Sequence, residues 1–420
     1  MASSSMLLAG AIIIGNGISF VSLPLLSRLY SPEAFGVFGF VISWGTIASV
    51  IFTLRLESVI PITSATVQAE SLARRAVNRT WMITFGLSLA ALLSWLYGAD
   101  VGRGIGVIEL LLGIGIAFSG SYFAIGRAMH QRLDDYKIIA SSSIVRSFAF
   151  VGLAIALGIG TYSDQSSGAP LLFASMVAFL IPGILLHITL SEGMRRAMMP
   201  GPALILEQAD YSGRALRRVT ASFVISQISF QFPIWIAMAF FGSAAAGWMA
   251  MGYRLVMFPS DIICGSISLV IARRIADSMF HNPENLGSDR KLLALFLIGN
   301  FLLFGLLALC VYAFSGIVLG TEWQLAAPVM ALLASVGLSF TVQPTVIQIL
   351  GLLNRDREAL AVNVIHWVLL VIGACALWLT AGNIYSGVAA LAVVELLFSI
   401  CLSAYVMWAI RNNSTNLAKS

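Results

Sequence analysis

The chain has 420 residues, 59% of them hydrophobic and only 10% charged, with a formal net charge of +5. A soluble domain carries roughly a quarter charged residues, so this balance excludes an ordinary water-soluble fold and identifies an integral membrane protein. The apolar runs are near the 20 residues of a spanning helix and too long for barrel strands of about 10, which makes the expected class all-α.

Twelve spans are predicted, at about 5–27, 35–62, 78–98, 104–126, 138–160, 169–190, 218–241, 244–271, 292–315, 324–349, 359–380 and 384–409. The N-terminus lacks a basic region and a cleavage site, so the first run is read as a retained helix. The longest connection, 191–217, contains Pro200, Gly201 and Pro202 and is read as a cytoplasmic linker. It separates an N-terminal six-helix bundle (1–190) from a C-terminal one (218–420). Of the 24 Lys and Arg residues, all but five then fall on one side; Arg28 and Arg103 lie opposite, and Arg55, Arg146 and Arg254 lie within spans. The positive-inside rule puts the crowded side, with both termini, in the cytoplasm.

In chain order, the first helix has Gly10, Gly15, Gly17 and Pro24, small residues suited to close packing in lipid. Arg28 at its outer end either snorkels to the interface or faces the mouth of a cavity. The second helix carries Arg55 and Glu57 while still apolar. Ionised groups at membrane depth are costly unless they face a partner or water, so this helix lines a wet cavity or is neutralised by a neighbour. Two residues apart on a helix, the two point about 200° apart and are not expected to pair with each other. Glu109 lies near the outer end of the fourth helix, and Arg146 near mid-depth of the fifth, after Ser141, Ser142 and Ser143.

The seventh helix has a polar flank of Thr220, Ser222, Ser226, Gln227, Ser229 and Gln231, which either joins helices or hydrogen-bonds sugar hydroxyls. Pro233 is expected to bend it. The eighth holds Arg254 and Asp261, on one face about 10 Å apart, with Pro259 between them as an expected hinge. Helices two and eight each carry an arginine and a carboxylate. Each opens on small residues, Phe35-Gly36-Val37-Phe38-Gly39 and Ala246-Gly247-Trp248-Met249, which hints at a duplicated unit with a site where the repeats meet. Later helices add Asn300, Gln343, Asn363, His366 and Glu395. Asn363 and His366 share a face, and His366 is read as a satisfied interior histidine before a proton relay. Glu395 is read as a counter-ion to an arginine or as a protonatable group.

Cys264, Cys310, Cys375 and Cys401 all lie in apolar runs without metal-site spacing and are read as free thiols. There is no GxxxxGK[ST] phosphate loop and no soluble-enzyme motif, so no catalytic residue, cofactor or metal is expected.

The segment SRLYSPEAFGVFGFVISWGTIASVIFTLRLESVIPI resembles the Wzx-type O-antigen and polysaccharide lipid flippases of the multidrug/oligosaccharidyl-lipid/polysaccharide exporter (MOP) superfamily. The resemblance rests on Arg28, Leu29, Tyr30, Pro32, Glu33, Phe35 and Gly36, then Thr53, Arg55 and Glu57. The eighth helix, with Arg254, Pro259, Arg273 and Arg274, is similar to the family's counterpart. The resemblance implies a MATE-like fold and movement of an undecaprenyl-pyrophosphate-linked oligosaccharide from the cytoplasmic to the periplasmic leaflet of the bacterial inner membrane. Its implied partners are that glycan lipid, the bilayer and a polysaccharide polymerase or chain-length complex, with no nucleic acid. A pyrophosphate head needs a hydrated cationic cavity, and the planar guanidinium fork suits phosphate. The expected cavity cations are therefore Arg55, Arg254, Arg146 and Arg28. Glu57, Asp261 and Glu395 are the coupling or counter-ion candidates, and Gln227, Gln231 and Asn363 the polar lining.

Three rivals stay open at this stage. A MATE-like drug or cation antiporter needs a carboxylate-rich cavity, and the first helix has no acid. A major-facilitator sugar transporter needs a charged motif that the loop SATVQAESLARRAVNRT lacks. A non-transporting scaffold of a glycan-assembly complex fits poorly with a polar, arginine-bearing interior.

Overall fold

The computed structural model describes residues 2–63, 65–97, 105–160, 166–201, 213–280, 286–352, 355–373, 375 and 383–417, and the described elements are all helical. Nine helical stretches among them are long and apolar enough to cross a membrane. The protein is an all-α, multi-pass membrane protein; the described parts of the twelve predicted spans lie on helical stretches, and those at 218–241, 244–271 and 359–380 are not among the nine. The described residues divide into two compact units, Met1–Gly247 and Trp248–Ser420. That boundary lies inside a helix, beyond the 191–217 linker of the sequence reading.

In the first unit the opening span is two helices, α1 (Ala2–Val21) and α2 (Leu23–Leu29). The interruption follows from Pro24 in the first turn of α2, which has no N–H to give. α1 lies along α7 (Tyr136–Gly160) so closely that a Cβ on Gly15 would stand 2.9 Å from Ser147 Oγ. The turn into α3 (Pro32–Thr53) is fixed locally. Ser31 Oγ accepts from Ala34 N at 3.4 Å, Pro32 occupies the first turn, and Glu33 lies at the positive end of the helix dipole. Tyr30 is fully buried; its hydroxyl donates to Ala154 O at 2.7 Å, and the Phe35 ring meets it edge-on.

α3 stops at Thr53. Leu54 and Arg55 take left-handed backbone angles (φ 48° and 58°), and the chain resumes in the short α4 (Leu56–Val59) and a 3₁₀ turn, Ile60–Ile62. The continuous second span expected over 35–62 is therefore broken near its end. α5 (Thr66–Leu96), α6 (Val107–Arg132) and α8 (Ala169–Thr189) complete the packing, α6 lying between α3 and α8. Glu109 closes a cap at the start of α6, where its Oε2 accepts from Gly106 N at 2.9 Å. The short α9 (Glu192–Ala197) folds back on α5, joined there by Asn78, whose side chain both donates to Gly201 O (2.6 Å) and accepts from Gly201 N (3.0 Å). α10 (Gly213–Phe241) packs on α3 and runs unbroken through Pro233. The Trp44 and Trp235 rings stack between them at 4.2 Å and 3°, and Trp235 Nε1 donates to Ser43 Oγ at 2.5 Å.

α11 (Ser243–Ile262) begins against the start of α3. A Cβ on Gly36 would stand 1.8 Å from Ser243 O, and one on Gly247 would stand 1.8 Å from Pro32 O. Only glycine permits backbones this close, so the two small-residue entries singled out in the sequence meet each other.

The second unit continues α11 through a π-helical segment, Ile263–Ser268, into α12 (Leu269–Phe280). The break comes after Pro259 rather than at it. α13 (Leu286–Leu319), α14 (Ala327–Leu332), α15 (Ala334–Leu352), α16 (Asp356–Val368) and α17 (Ile384–Leu417) follow. Their core is built by Val256, Phe304, Leu338, Val342, Ile349 and Val406, among others. Cys310, Cys375 and Cys401 are free thiols; the Cys264 side chain lies outside the described residues.

Candidate functional site

The ionisable groups inside the helices are the candidates, and each unit has its own set. In the first unit the break after α3 decides the geometry. With Leu54 and Arg55 left-handed, the backbone reverses its helical sense for two residues, and Arg55 Nε comes within 3.9 Å of Glu57 Oε1. The expectation that these two cannot pair holds for a continuous helix and fails here. At 3.9 Å the pair is loose, and Arg55 stays about a quarter exposed. Three hydroxyl contacts brace the break: Thr53 Oγ1 accepts from Arg55 N (3.3 Å), Ser58 Oγ donates to Arg55 O (2.7 Å), and Thr220 Oγ1 from α10 donates to Leu54 O (3.0 Å). Thr220 belongs to the polar flank seen in the sequence, and this bond joins α10 to the backbone at the end of α3. Gln227 and Gln231 lie half-buried further along α10; the side chains of Ser222 and Ser226 lie outside the described residues.

Arg146 stands elsewhere in this unit. Its guanidinium lies 5.9 Å from the Phe123 ring centroid and 5.3 Å from that of Phe179, so α6 and α8 offer it aromatic faces. Arg127, one residue past the predicted fourth span, is a second cation near that ring, 5.7 Å from the Phe123 centroid. Arg28 is exposed at the C-terminal end of α2, where a cation complements the helix dipole.

In the second unit Arg254 is half-buried on α11, and Asp261 is exposed on the same unbroken helix. Glu395 is fully buried and pairs not with an arginine but with His366, whose Nε2 lies 3.0 Å from both carboxylate oxygens. The Phe398 ring stacks on the imidazole at 4.4 Å and 16°. Asn363, one turn before His366, accepts from Gln343 Nε2 at 2.9 Å. The shared face predicted for Asn363 and His366 is thus turned to α15 and α17. Sequence reasoning did not place His366 or Thr220 in the site. The only signal for either was a polar residue within an apolar run.

Comparison with known proteins gives three findings. The profile of the family described as "Polysaccharide biosynthesis protein" matches residues 2–279. The succinoglycan biosynthesis transport protein ExoT of Rhizobium meliloti (strain 1021) is 24% identical over 334 residues, covering 76% of this chain and 62% of the relative. The chain thus spans less than two thirds of the length of that relative. Among solved structures, the lipid II flippase MurJ in an inward closed conformation superposes with a TM-score of 0.67 at 12% identity, over 98% of this chain and 88% of the other. An inward-facing multidrug resistance MATE family transporter of the MOP superfamily gives 0.59 at 13%, over 99% and 96%. At these identities the likeness is one of fold, and the fold is that of MOP-superfamily transporters.

Proposed function

Because this chain belongs to the polysaccharide biosynthesis protein family, we propose that it is a flippase for a lipid-linked saccharide. The cargo is an undecaprenyl-pyrophosphate-linked oligosaccharide, such as an O-antigen or other surface-polysaccharide repeat unit. It moves from the cytoplasmic to the periplasmic leaflet of a bacterial inner membrane by alternating access. The protein works as a transporter without catalysis of its own, beside a polymerase or chain-length complex that consumes the product.

The observation that carries this reading is Arg55. A helix break places it inside a predicted span beside Glu57, with its side chain about a quarter exposed. A guanidinium offers a planar fork of donors that matches the oxygens of a diphosphate. Arg254, Arg146 and Arg28 are proposed as the further cavity cations, with Gln227, Gln231 and Asn363 as polar lining and Glu57, Asp261 and Glu395 as coupling groups.

The test is polysaccharide export in cells whose own copy is deleted. Arg55→Ala, Arg146→Ala and Arg254→Ala are expected to abolish export at normal membrane levels, with Arg55→Lys partly active. Full export by all three Ala variants overturns the cationic-cavity reading.

A further inference from the structure

We infer that His366 and Glu395 form a proton-binding site within the second unit, and that its occupancy sets how tightly α16 closes on α17. The pair lies 29 positions apart in sequence, on two helices, and both side chains are nearly inaccessible. Equal distances of 3.0 Å from Nε2 to both oxygens fit one N–H shared by an ionised carboxylate, which can only accept. Phe398 covers one face of the ring. Ser339 Oγ donates to the backbone carbonyl of Glu395 at 3.2 Å and lies 2.9 Å from Ser399 Oγ, which holds α17 against α15 at this level.

The groups around the pair are few. Tyr253 of α11 lies within electrostatic range of Glu395, the cation Arg254 follows it on the same helix, and Gln343 of α15 is bonded to Asn363. α14 also packs on α17 and has no titratable residue. The charged residues of α13, Asp289, Arg290 and Lys291, sit in its first turns, where Asp289 accepts from Ser278. Among the described residues, Glu395 is thus balanced by the imidazole at hydrogen-bond distance.

The proton count follows. With both ring nitrogens protonated, the imidazolium and carboxylate sum to zero charge. When the Nδ1 proton leaves to water, Nε2–H still donates, but the pair is left with one net negative charge at a fully buried carboxylate. An uncompensated charge there is costly, and hydration relieves it. Water reaches the carboxylate only if α16 and α17 part at this level. A second link joins the same helices at their other end, where the Tyr405 hydroxyl donates to Glu358, itself 2.6 Å from Arg355. Residues 358 and 366 are about 12 Å apart along α16. Loss of the proton therefore opens one end of the contact while the other holds. The π-helical segment Leu369–Gly373 begins three residues after His366, and irregular winding of this kind recurs where a helix must shift. Two states that differ in protonation and in helix separation are what a gradient-driven transporter requires. That last step rests on the flippase reading; the site itself does not.

The test uses the full chain in nanodiscs. Histidine ¹⁵N spectra are recorded between about pH 5 and 8, with the His366 signal identified from variants lacking His130, His187 or His281. Backbone exchange of α16 and α17 is followed in parallel and corrected for its intrinsic pH dependence. The expected result is a titrating His366, together with about tenfold faster exchange near residues 366 and 395 in its deprotonated state. Glu395→Gln, which keeps an acceptor without the charge, should remove the pH dependence of that exchange. A His366 signal that does not change over this range overturns the inference, and so does one that titrates with unchanged protection. Loss of export in Arg55→Ala beside a silent His366 would leave the flippase reading standing and remove the proton site. A titrating, opening pair in a chain that exports nothing would do the reverse.

Discussion

The hydroxyl of Thr220 donates at 3.0 Å to the carbonyl of Leu54, the first of two left-handed residues that end α3. That carbonyl has left the helical ladder, and Thr220 supplies its bond from another helix. Thr220→Val keeps the shape and deletes the donor. A part-buried hydrogen bond of this kind is worth about 0.5–1.5 kcal/mol, so the variant should melt earlier in detergent and export poorly. Thr220→Ser should retain both. Equal melting of the Val and Ser variants would show that this bond does not hold the break.

The left-handed geometry makes a second prediction. A left-handed residue with a side chain costs roughly 1–2 kcal/mol, and a β-branched one is worse placed still. Leu54→Val should therefore destabilise the protein, whereas Leu54→Gly, with no Cβ to clash, should offset part of its lost packing. The comparison to make is the thermal unfolding of the two variants in the same micelle. A Val variant as stable as the Gly variant would contradict the backbone assignment at this position.

At Gly36 and Gly247 an added methyl would stand 1.8 Å from a backbone carbonyl oxygen. Backbone cannot swing aside as a side-chain tip can, so Gly36→Ala and Gly247→Ala should each cost about 1–3 kcal/mol or more. Gly10 and Gly86 have nothing within 4 Å of an added Cβ and serve as controls. Membrane yield and melting temperature, measured for all four, should separate the two pairs.

Asn78 holds Gly201 by both its donor and its acceptor. Asn78→Ala removes both bonds and should free the segment after α9 from α5. Trypsin should then cut faster after Arg195 and Arg196 in the intact membrane-embedded protein. An unchanged cleavage rate would mean that the bond from Arg74 Nη2 to Arg196 O and the apolar contacts of Ala197 and Met198 suffice to hold the segment down.

The spans were legible in the sequence because a run of about 20 apolar residues has one reading in a bilayer. The turn at Tyr30 to Glu33 was legible too, since Ser31, Pro32 and Glu33 are residues whose chemistry starts a helix. The break at Leu54 and Arg55 was not. The residues around it, TLRLES, contain neither glycine nor proline, and the hydroxyl that takes up the freed Leu54 carbonyl comes from α10, more than 160 residues later. The reading of Arg55 and Glu57 failed for the same reason, because it assumed a helix that tertiary contacts interrupt. Pro259 misled in the opposite sense; its helix absorbs it, and the irregular winding begins at Ile263. The partner of Glu395 was hidden because a buried acid in an apolar run signals that a partner exists without saying which helix supplies it.

The stacked indoles of Trp44 and Trp235 have a practical consequence. At 4.2 Å and nearly parallel, their electronic transitions couple, so the pair should yield an exciton signal in circular dichroism that neither ring gives alone. One ring belongs to α3 and the other to α10. The protein thus carries an unlabelled optical gauge of the separation between these helices, which Trp44→Phe should extinguish.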